Sequence, residues 1–500
     1  MQTFGEQVAA CGRAGEDAAM RNASRAPLVA RLAVILATVI LSFNRAANAQ
    51  QSAPIALDPV NPHYLLFRGK PVFLLGSTEH YGAVMNRDFD YAKYLQTIQK
   101  QGMNITRTFS GAYMEPDGAF NISHNTLAPA TEKLIAPWAR SQMPGYAKGG
   151  NKFDLTKWDD DYFKRLSDFV SQASQRGIVV EMVLFCPYYD EAQWKLSPLN
   201  ASNNVNEIGN ISRLKANTME NGNLLPIQEA MVRKIVTTLA RFDNVYFEIC
   251  NEPYFGGVTL DWQKHIASVI HESEKSLPHA HLIAQNISNG AKKIEQPDPL
   301  VSIFNFHYAT PPDAVTMNYG LDRVISDDET GFKGTGDDIY RMEAWDFFLA
   351  GGGIFDHLDY SFTAGHEDGT FALPPKQPGG GGVALRKQFA ILKAFLGSFD
   401  FVHMNPDSHV LKGPIPKGVT VRALSEPGKA YAIYVRGKEM ADLKLDLPAG
   451  NYRIEWINPV TGKTLNQADL KQSSEPALLH CPSGLSDVAL RIVANTSDIH

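Results

Sequence analysis

Short apolar runs alternate with amphipathic stretches from about residue 71 to about residue 396 of this chain. The runs are short, are rich in branched and aromatic residues, and have polar or turn-forming neighbours, as is typical of buried strands. Eight strands are predicted, over Pro71–Ser77, Met103–Phe109, Ile178–Phe185, Asn244–Cys250, His281–Asn286, Val301–His307, Arg323–Ser326 and Gly353–Leu358.

The stretches between these strands have the periodicity of helices with one buried face. Apolar residues at 163, 166, 169 and 170, for example, show the spacing of a helical stripe. Six helices are predicted, over Tyr91–Gln101, Asp160–Arg176, Ile227–Phe242, Trp262–Ser276, Asp337–Ala350 and Ala384–Leu396. Strands that alternate with helices pair in parallel, and eight such units predict an α/β fold, a (β/α)8 TIM barrel. A doubly wound open sheet is the alternative, although no G-x-G-x-x-G motif follows the first strand.

After about Pro406 the pattern changes to short alternating strands separated by Gly, Pro and Asn. The strands are predicted over His409–Lys412, Val419–Leu424, Ala430–Val435, Leu443–Leu447, Tyr452–Ile457, Ala477–His480 and Val488–Val493. So many short strands in so little chain favour a small all-β sandwich. We therefore predict a barrel over residues 50–405 and a sandwich over residues 406–500.

Residues 1–49 are predicted to be a signal peptide. The apolar run Leu32–Phe43 is too short for a membrane helix of ~20 residues, arginines precede it, and Ala47-Asn48-Ala49 has the form of a cleavage site. Acidic residues before Met20 fit such a leader poorly, so the start is expected at Met20. An uncleaved anchor is the alternative. The mature chain would begin near Gln50 and be secreted or periplasmic.

Charge and cysteine content narrow the function classes. The 500 residues carry a formal charge of −6 with no basic stripe, which argues against nucleic acid, or a membrane beyond export, as a partner. The spacing of Cys186, Cys250 and Cys481 fits neither a zinc site nor a disulfide framework. Buried free thiols are predicted, with a Cys186–Cys250 bridge as the alternative, and no metal site is expected.

The clearest chemical signal is the segment NVYFEICNEPY, residues 244–254. Its apolar strand ends at Asn251-Glu252-Pro253, since proline cannot continue a ladder. The carboxyl ends of barrel strands form the active-site face, so Glu252 is predicted to face the site. A helix-capping role for Glu252 is the alternative. Glu248, which has the same side-chain parity, is predicted to pair structurally inside the barrel.

This N-E-P strand resembles the acid/base strand of the clan A glycoside hydrolases, which include the family 5 cellulases. In those enzymes a second glutamate ends the seventh strand and acts as nucleophile. Here the seventh strand continues as RVISDDETG, residues 323–331, which is similar to the clan pattern and gives Glu329 the nucleophile's place. The doubled Asp327-Asp328 departs from that pattern and leaves Asp328 as an alternative nucleophile.

The resemblance also implies substrate-binding residues. Arg107 resembles the arginine that steadies the nucleophile, and His307-Tyr308 resemble a pair that touches nucleophile and sugar. Asn251 beside the acid and His80 after the first strand are predicted to contact sugar hydroxyls. The clan's tryptophan after the eighth strand is missing, so the candidates for a stacking platform are Tyr81, Tyr360 and Trp194.

The G-S-T-E-H-Y-G opening of the barrel looks like the cellulase-like and apiosidase-like branch of the clan, residues 76–82. The C-terminal strands are similar to the small sandwich of collagen-binding type that follows such barrels. We expect that sandwich to act as a packing domain, with carbohydrate binding as the alternative.

Together these resemblances imply a secreted retaining glycoside hydrolase that cleaves an oligo- or polysaccharide by double displacement with two glutamates and no cofactor. A transglycosylase with the same site is one alternative. The other is a non-catalytic carbohydrate-binding protein on a hydrolase scaffold.

Overall fold

The structure, a computed structural model, describes residues 53–438 and 440–495. The predicted signal peptide and its cleavage site lie outside the described residues. Within these two ranges, no helix has both the length and the apolar character that crossing a membrane requires.

Eight parallel strands form the central sheet, in the spatial order β1-β8-β7-β6-β5-β4-β3-β2. This arrangement confirms the predicted (β/α)8 barrel. The strands are β1 Leu74–Thr78, β2 Ile105–Phe109, β3 Val179–Phe185, β4 Val245–Cys250, β5 Ile283–Asn289, β6 Ile303–His307, β7 Val324–Thr330 and β8 Ile354–Leu358.

The side chain of Asn104 joins the first two strands of the barrel. Its amide oxygen accepts from the backbone N–H of Leu75 at 2.8 Å, and its amide nitrogen donates to the carbonyl of Phe73 at 3.0 Å. The backbone N–H of Asn104 also donates to the carbonyl of Leu75 at 3.3 Å. One buried asparagine thus supplies the hydrogen bonds that a regular ladder would otherwise provide where β1 meets β2.

The helices follow the predicted pattern, with two additions. They are α1 Tyr91–Lys100, α2 Asp160–Gln175, α3 Glu191–Leu196, α4 Leu225–Leu239, α5 Leu260–Glu274, α6 Asp313–Asn318, α7 Asp337–Leu349 and α8 Val383–Leu396. Helices α3 and α6 are the additions, and both are too short to show a clear periodic stripe. Helix α2 begins where the Asp159 carboxylate accepts from the N–H groups of Asp161 and Tyr162.

Two parts of the prediction need correction. The predicted first strand, Pro71–Ser77, is divided: Lys70–Val72 pairs with Leu65–Phe67 in a separate small sheet that also includes Ala56–Leu57, and only the remainder enters the barrel. The long connection after β2 was predicted without secondary structure, but it contains an antiparallel hairpin. The two strands of this hairpin are Trp138–Pro144 and Asn151–Trp158.

Alternate residues of the barrel strands face inward and form layers. The lowest layer is apolar, and one residue comes from each strand: Leu74, Ile105, Val179, Tyr246, Ala284, Ile303, Val324 and Ile354. The small N-terminal sheet covers this layer with Leu65. Two positions further along each strand the layer is polar, and it includes Arg107, Glu181 and Glu248. Gly76 occupies the position of β1 in this layer. A Cβ atom there would lie 2.2 Å from the Asp356 carboxylate, so a larger residue would not fit.

The C-terminal region contains two antiparallel sheets with a common apolar core. The larger has the order β9-β11-β12-β17-β14-β15 and the smaller β10-β13-β16. Leu443 and Leu445 from the smaller sheet pack with Ile433 and Trp456 from the larger. The strands are β9 Asn405–Pro406, β10 Leu411–Lys412, β11 Val419–Glu426, β12 Ala430–Gly437, β13 Leu443–Leu445, β14 Gly450–Ile457, β15 Thr464–Gln472, β16 Ala477–Leu479 and β17 Asp487–Ala494.

The larger C-terminal sheet packs on helix α7 of the barrel. The rings of Trp345 and Tyr434 stack with their centroids 5.2 Å apart. Arg341 donates to both carboxylate oxygens of Asp487, at 3.0 and 2.9 Å, and both side chains are almost fully buried. A buried charge pair is costly to separate, so these contacts tie the sheet firmly to the barrel. The boundary predicted at residue 405 remains a prediction, since both parts belong to one compact unit, Ser52–His500.

Candidate active site

A cavity of about 460 Å³ opens at the carboxyl ends of the barrel strands. Of the residues predicted to form the site, Asn251, Glu252, Tyr308 and Glu329 line it. The full lining is Tyr81, Phe109, Tyr113, Glu115, Phe120, Leu127, Cys186, Tyr189, Asn251, Glu252, Phe255, Asn289, Tyr308, Glu329 and Phe332.

Glu252 is the second residue after β4 and lines the cavity with its carboxyl group. Its backbone has a φ of 36°, in the left-handed region that a non-glycine residue rarely adopts and that is often found at functional sites. Tyr189 donates to its Oε2 at 2.5 Å and Tyr254 to its Oε1 at 3.2 Å. The Nδ1 atom of His307 lies 3.2 Å from the same Oε1.

These neighbours set the acidity of Glu252. Burial raises its pKa, but the hydrogen bond and charge of His307 and the hydroxyls of Tyr189 and Tyr254 lower it by more. The pKa of Glu252 therefore lies below its ordinary value. Among the neighbours that lower this pKa, His307 contributes most.

Glu329 reaches the cavity because strand β7 contains a bulge. Phe306 of β6 pairs with Asp327, but the next residue, His307, pairs with Glu329, so Asp328 is the extra residue. Arg107 Nη1 donates to Glu329 Oε2 at 2.8 Å, and the Tyr308 hydroxyl donates to Oε1 at 3.0 Å. Both carboxylate oxygens are thus held by fixed donors.

The three consecutive acids of β7 point to different places. Asp327 accepts from the backbone N–H of Ala309 at 3.2 Å, away from the cavity. Asp328 is fully buried in the barrel, where Asn305 donates to it at 3.0 Å and the Nε of Arg107 lies 3.4 Å away. Burial, followed by the charge of Glu181, raises the pKa of Asp328 well above its usual range. Of the three, only Glu329 lines the cavity.

Arg107 is fully buried and lies among carboxyl groups. Besides Glu329, it donates to Glu248 Oε2 at 2.5 Å and to Asn251 Oδ1 at 2.8 Å, and Glu181 lies 3.9 Å away. Burial lowers the pKa of Arg107, but the surrounding acids raise it by more. Burial and the nearby charge of Glu248 raise the pKa of Glu181 to about 8. Glu248 thus has the inward, paired position that was predicted for it.

Oxygen atoms of Glu252 and Glu329 and a ring nitrogen of His307 all lie within 4.8 Å of one another. Glu248, His307 and Asp328 form a second group of the same size. Both groups have the donor types of a metal site. In both, however, Arg107 already donates to one of the carboxylates, and its charge would compete with a bound cation.

Five predicted residues do not line the cavity. Arg107 and His307 are fully buried, although they contact Glu329 and Glu252. His80 is fully buried, with its Nε2 3.4 Å from Asp356, and burial lowers its pKa to about 3. Trp194 is buried against Tyr188, and its indole nitrogen donates to the carbonyl of Ile211. Tyr360 is also buried and is not among the lining residues. Of the proposed platforms, only Tyr81 lines the cavity.

Several residues that line the cavity or contact Glu252 were not identified from the sequence. Tyr189 follows β3, Tyr254 follows the N-E-P motif, and the loop after β2 supplies Glu115 and Phe120. The only signal in the sequence was the unusual length of the loops after β2 and β3, which is common for functional loops. Cys186 and Cys250 are buried free thiols, as predicted.

Comparisons with known proteins agree with this architecture. Residues 61–216 match the model of the apiosidase-like catalytic domain. A candidate glycoside hydrolase from Bacteroides vulgatus ATCC 8482 superimposes with a TM-score of 0.64 at 14% identity, covering 90% of this chain and 83% of its own. A family 5 glycoside hydrolase from the same organism gives 0.62 at 14% identity, covering 89% and 94%. No curated protein matches the chain.

These findings confirm the predicted resemblance to the cellulase-like and apiosidase-like barrels. At such identities the structural similarity establishes the fold, and the matched segment relates the chain to glycoside hydrolases.

Proposed function

We propose that the protein is a retaining glycoside hydrolase in which Glu329 is the nucleophile and Glu252 the acid/base. The observation that carries this proposal is the approach of the two carboxyl groups, with oxygen atoms within 4.8 Å, across one cavity. Retaining glycosidases place their two carboxyl groups about 5–5.5 Å apart, whereas inverting enzymes need a wider gap for water. The short separation supports the retaining mechanism.

In the first step, Glu329 Oε attacks the anomeric carbon while Glu252 protonates the departing glycosidic oxygen. The C–O bond to the leaving group breaks, and a covalent glycosyl-enzyme forms. Arg107 and Tyr308 donate to the two carboxylate oxygens of Glu329 and hold it in a fixed orientation for the attack. In the second step Glu252 takes a proton from water, and the resulting hydroxide releases the sugar from Glu329 with net retention.

His307 has a defined role in this reaction. Its Nδ1 atom lies 3.2 Å from Glu252 Oε1, and its hydrogen bond and charge lower the pKa of Glu252. His307 is therefore a positioning residue that orients Glu252 beside the cavity. The proton that Glu252 gives up in the first step is replaced by the one that it takes from water in the second.

A panel of aryl glycosides and oligosaccharides, incubated with the purified mature chain, tests for hydrolysis and identifies the sugar. Glu329→Ala should then lose several orders of magnitude in rate, because no covalent intermediate can form. Asp328→Asn is the matched variant on the neighbouring acid and should retain far more activity. A dead Asp328→Asn beside an active Glu329→Ala would make Asp328 the nucleophile.

Added azide separates the two roles by stereochemistry. In Glu329→Ala, azide can occupy the vacated space and attack directly, giving a glycosyl azide of inverted configuration. In Glu252→Ala, an activated aryl glycoside still forms the glycosyl-enzyme, since its leaving group needs little protonation. Azide then gives a product of retained configuration, and the same configuration from both variants would contradict the assignment. Product analysis of the wild type at high substrate concentration distinguishes hydrolysis from transglycosylation.

We further propose that the enzyme is exported, on the strength of the apolar run Leu32–Phe43 and the Ala47–Ala49 site. N-terminal sequencing of protein from the periplasm or medium should find Gln50 or a near neighbour. A mature protein that still begins at Met20 would contradict this.

A further inference from the structure

The cavity wall beside Glu252 contains three aromatic rings in contact. The ring of Tyr189 lies 5.3 Å from that of Phe120 and 5.7 Å from that of Phe255. We call Phe120, Tyr189 and Phe255 the aromatic wall. All three line the cavity, and the two phenylalanines remain 42% and 43% exposed. Large apolar side chains that remain exposed inside a cavity indicate a surface to be covered by a ligand.

The backbone conformation of Phe120 also indicates a ligand-binding surface. Its φ is 55°, in the left-handed region, which is an outlier for a bulky aromatic residue. Strain of this kind persists only where the surrounding structure imposes it, and it concentrates at ligand-binding sites. Here the strained residue does not bury its ring in the core but leaves it exposed at the cavity.

The aromatic wall lies on the side of the acid/base. Tyr189 donates to Glu252 Oε2 at 2.5 Å, and the backbone N–H of Phe255 donates to the Glu252 carbonyl at 3.1 Å. Phe332, a third exposed phenylalanine of the cavity, instead follows Glu329 and packs against Tyr308. Since the acid protonates the glycosidic oxygen, which departs with the leaving group, the wall beside it contacts that leaving group.

The polarity of the aromatic wall and the charge of the cavity limit the kinds of ligand that can bind there. Phenylalanine rings offer no hydrogen-bond donors or acceptors, and the Tyr189 hydroxyl is already held by Glu252 and Asn251. A sugar in this position would leave its hydroxyls unpaired, at a cost in binding. Among the described residues that line the cavity, every charged side chain is acidic: Glu115, Glu252 and Glu329. Anionic ligands are therefore disfavoured as well.

We propose that the enzyme prefers neutral glycosides with an aromatic leaving group, which packs against Phe120, Tyr189 and Phe255. This inference rests on the proposed function for the roles of the two glutamates. It goes beyond that function by assigning the substrate class on the leaving-group side.

The first test measures binding without turnover. Calorimetry with 2-naphthol as the probe should detect binding to the wild-type mature chain. Phe120→Ala and Phe255→Ala should each weaken it about tenfold, equivalent to about 1.4 kcal/mol. Leu478→Ala, which removes a 58% exposed leucine of strand β16 outside the cavity, should bind as the wild type does. Equal binding by all four proteins would overturn the proposal.

The second test uses two substrates with the same sugar, a 2-naphthyl glycoside and a glycosyl fluoride. Fluoride is too small to reach the wall, so the ratio of the two kcat/KM values reports on aromatic contact. Phe120→Ala and Phe255→Ala should lower this ratio about tenfold, mainly through KM for the naphthyl glycoside. Phe332→Ala is the matched control on the opposite wall and should change both values in proportion. A ratio that stays constant in the first two variants would contradict the assignment.

The two tests also separate the inference from the proposed function. If no glycoside is turned over but naphthol binding still depends on Phe120 and Phe255, the glycosidase assignment is wrong and the aromatic wall stands. If glycosides are turned over while both variants behave as the wild type, the glycosidase assignment survives and the aromatic wall does not.

Discussion

Replacing Glu115 by glutamine should make the stability of the protein less sensitive to pH. Glu115 lines the cavity and is buried, with Tyr113 donating to its Oε1 at 2.9 Å and Asn125 to its Oε2 at 2.5 Å. Burial raises its pKa to about 7, although these two hydrogen bonds lower it. The native carboxyl group thus keeps its proton to a much higher pH than the same group in the unfolded chain.

The magnitude follows from the two pKa values. The unfolded chain releases this proton near pH 4.3 and the folded chain near pH 7, so the stabilising effect of the proton is complete below pH 4.3 and is lost as the pH rises from there to 7. The full loss is about 4 kcal/mol, since each of the roughly 2.7 pH units between the two pKa values contributes about 1.36 kcal/mol. With about 2.1 cal/mol/K per residue over roughly 450 residues, this corresponds to a change in Tm of about 4 °C.

Glutamine resembles the protonated acid, so Glu115→Gln should melt close to the wild type at pH 5. At pH 8 it should melt about 4 °C higher, because the wild type must then ionise a buried carboxyl group or retain its proton at a cost. Thermal unfolding in a series of buffers between pH 5 and 8 measures the gap. Glu475→Gln, at an exposed position of the C-terminal region, is the control and should show no gap that grows with pH. A constant gap for Glu115→Gln would show that Glu115 is not protonated in the folded chain.

Two further predictions concern the nucleophile and the barrel–sheet contact. Tyr308→Phe removes a hydroxyl that donates to Glu329 at 3.0 Å. Since a hydrogen bond to a charged group contributes about 1.5–3 kcal/mol, kcat/KM for an aryl glycoside should fall about 10–100-fold. The control variant Tyr162→Phe, in helix α2, should not lower kcat/KM. Asp487→Ala removes the buried carboxylate that faces Arg341 and leaves it only the exposed Asp338 and the amide of Gln388. The free energy of unfolding should fall by about 3 kcal/mol in denaturant titrations. Asp469→Ala, which breaks an exposed pair with Arg453, should cost less than about 1 kcal/mol. Equal losses from the two aspartate variants would contradict this account of the contact.

The barrel could be predicted from the sequence because its strands and longer helices carry strong periodic signals. The predicted and observed bounds of α2, for example, differ by one residue, and the eight barrel strands occur in the predicted order. Strand β15, Thr464–Gln472, was missed for a physical reason. It is an edge strand, paired only with β14 and exposed along most of its length, so its residues carry no apolar alternation.

The candidate residues that a motif places at the end of a strand lie together in the structure, whereas residues that only tertiary packing brings to the cavity were not identified from the sequence. The structure brings Glu252, Glu329, Arg107, His307 and Tyr308 together, since each follows or lies within a barrel strand. His80 is similarly placed in the sequence, yet its ring turns into the barrel beside Asp356. The aromatic wall comes from separate loops, whose contacts no local pattern encodes. Sequence patterns therefore identified the two carboxyl groups that meet in the cavity but not the aromatic residues beside them.

The doubled aspartate shows how a departure from the family pattern can preserve the site. In a regular strand, the side chain after the inward-facing Asp328 would point out of the barrel. The bulge at Asp328 shifts the register by one residue, so that Glu329 takes the place opposite His307 and reaches both Arg107 and the cavity. Asp328 then fills the buried layer below, where Asn305 and Arg107 hold it. The extra acid thus gives Arg107 a second partner on the same strand, and Glu329 still lines the cavity.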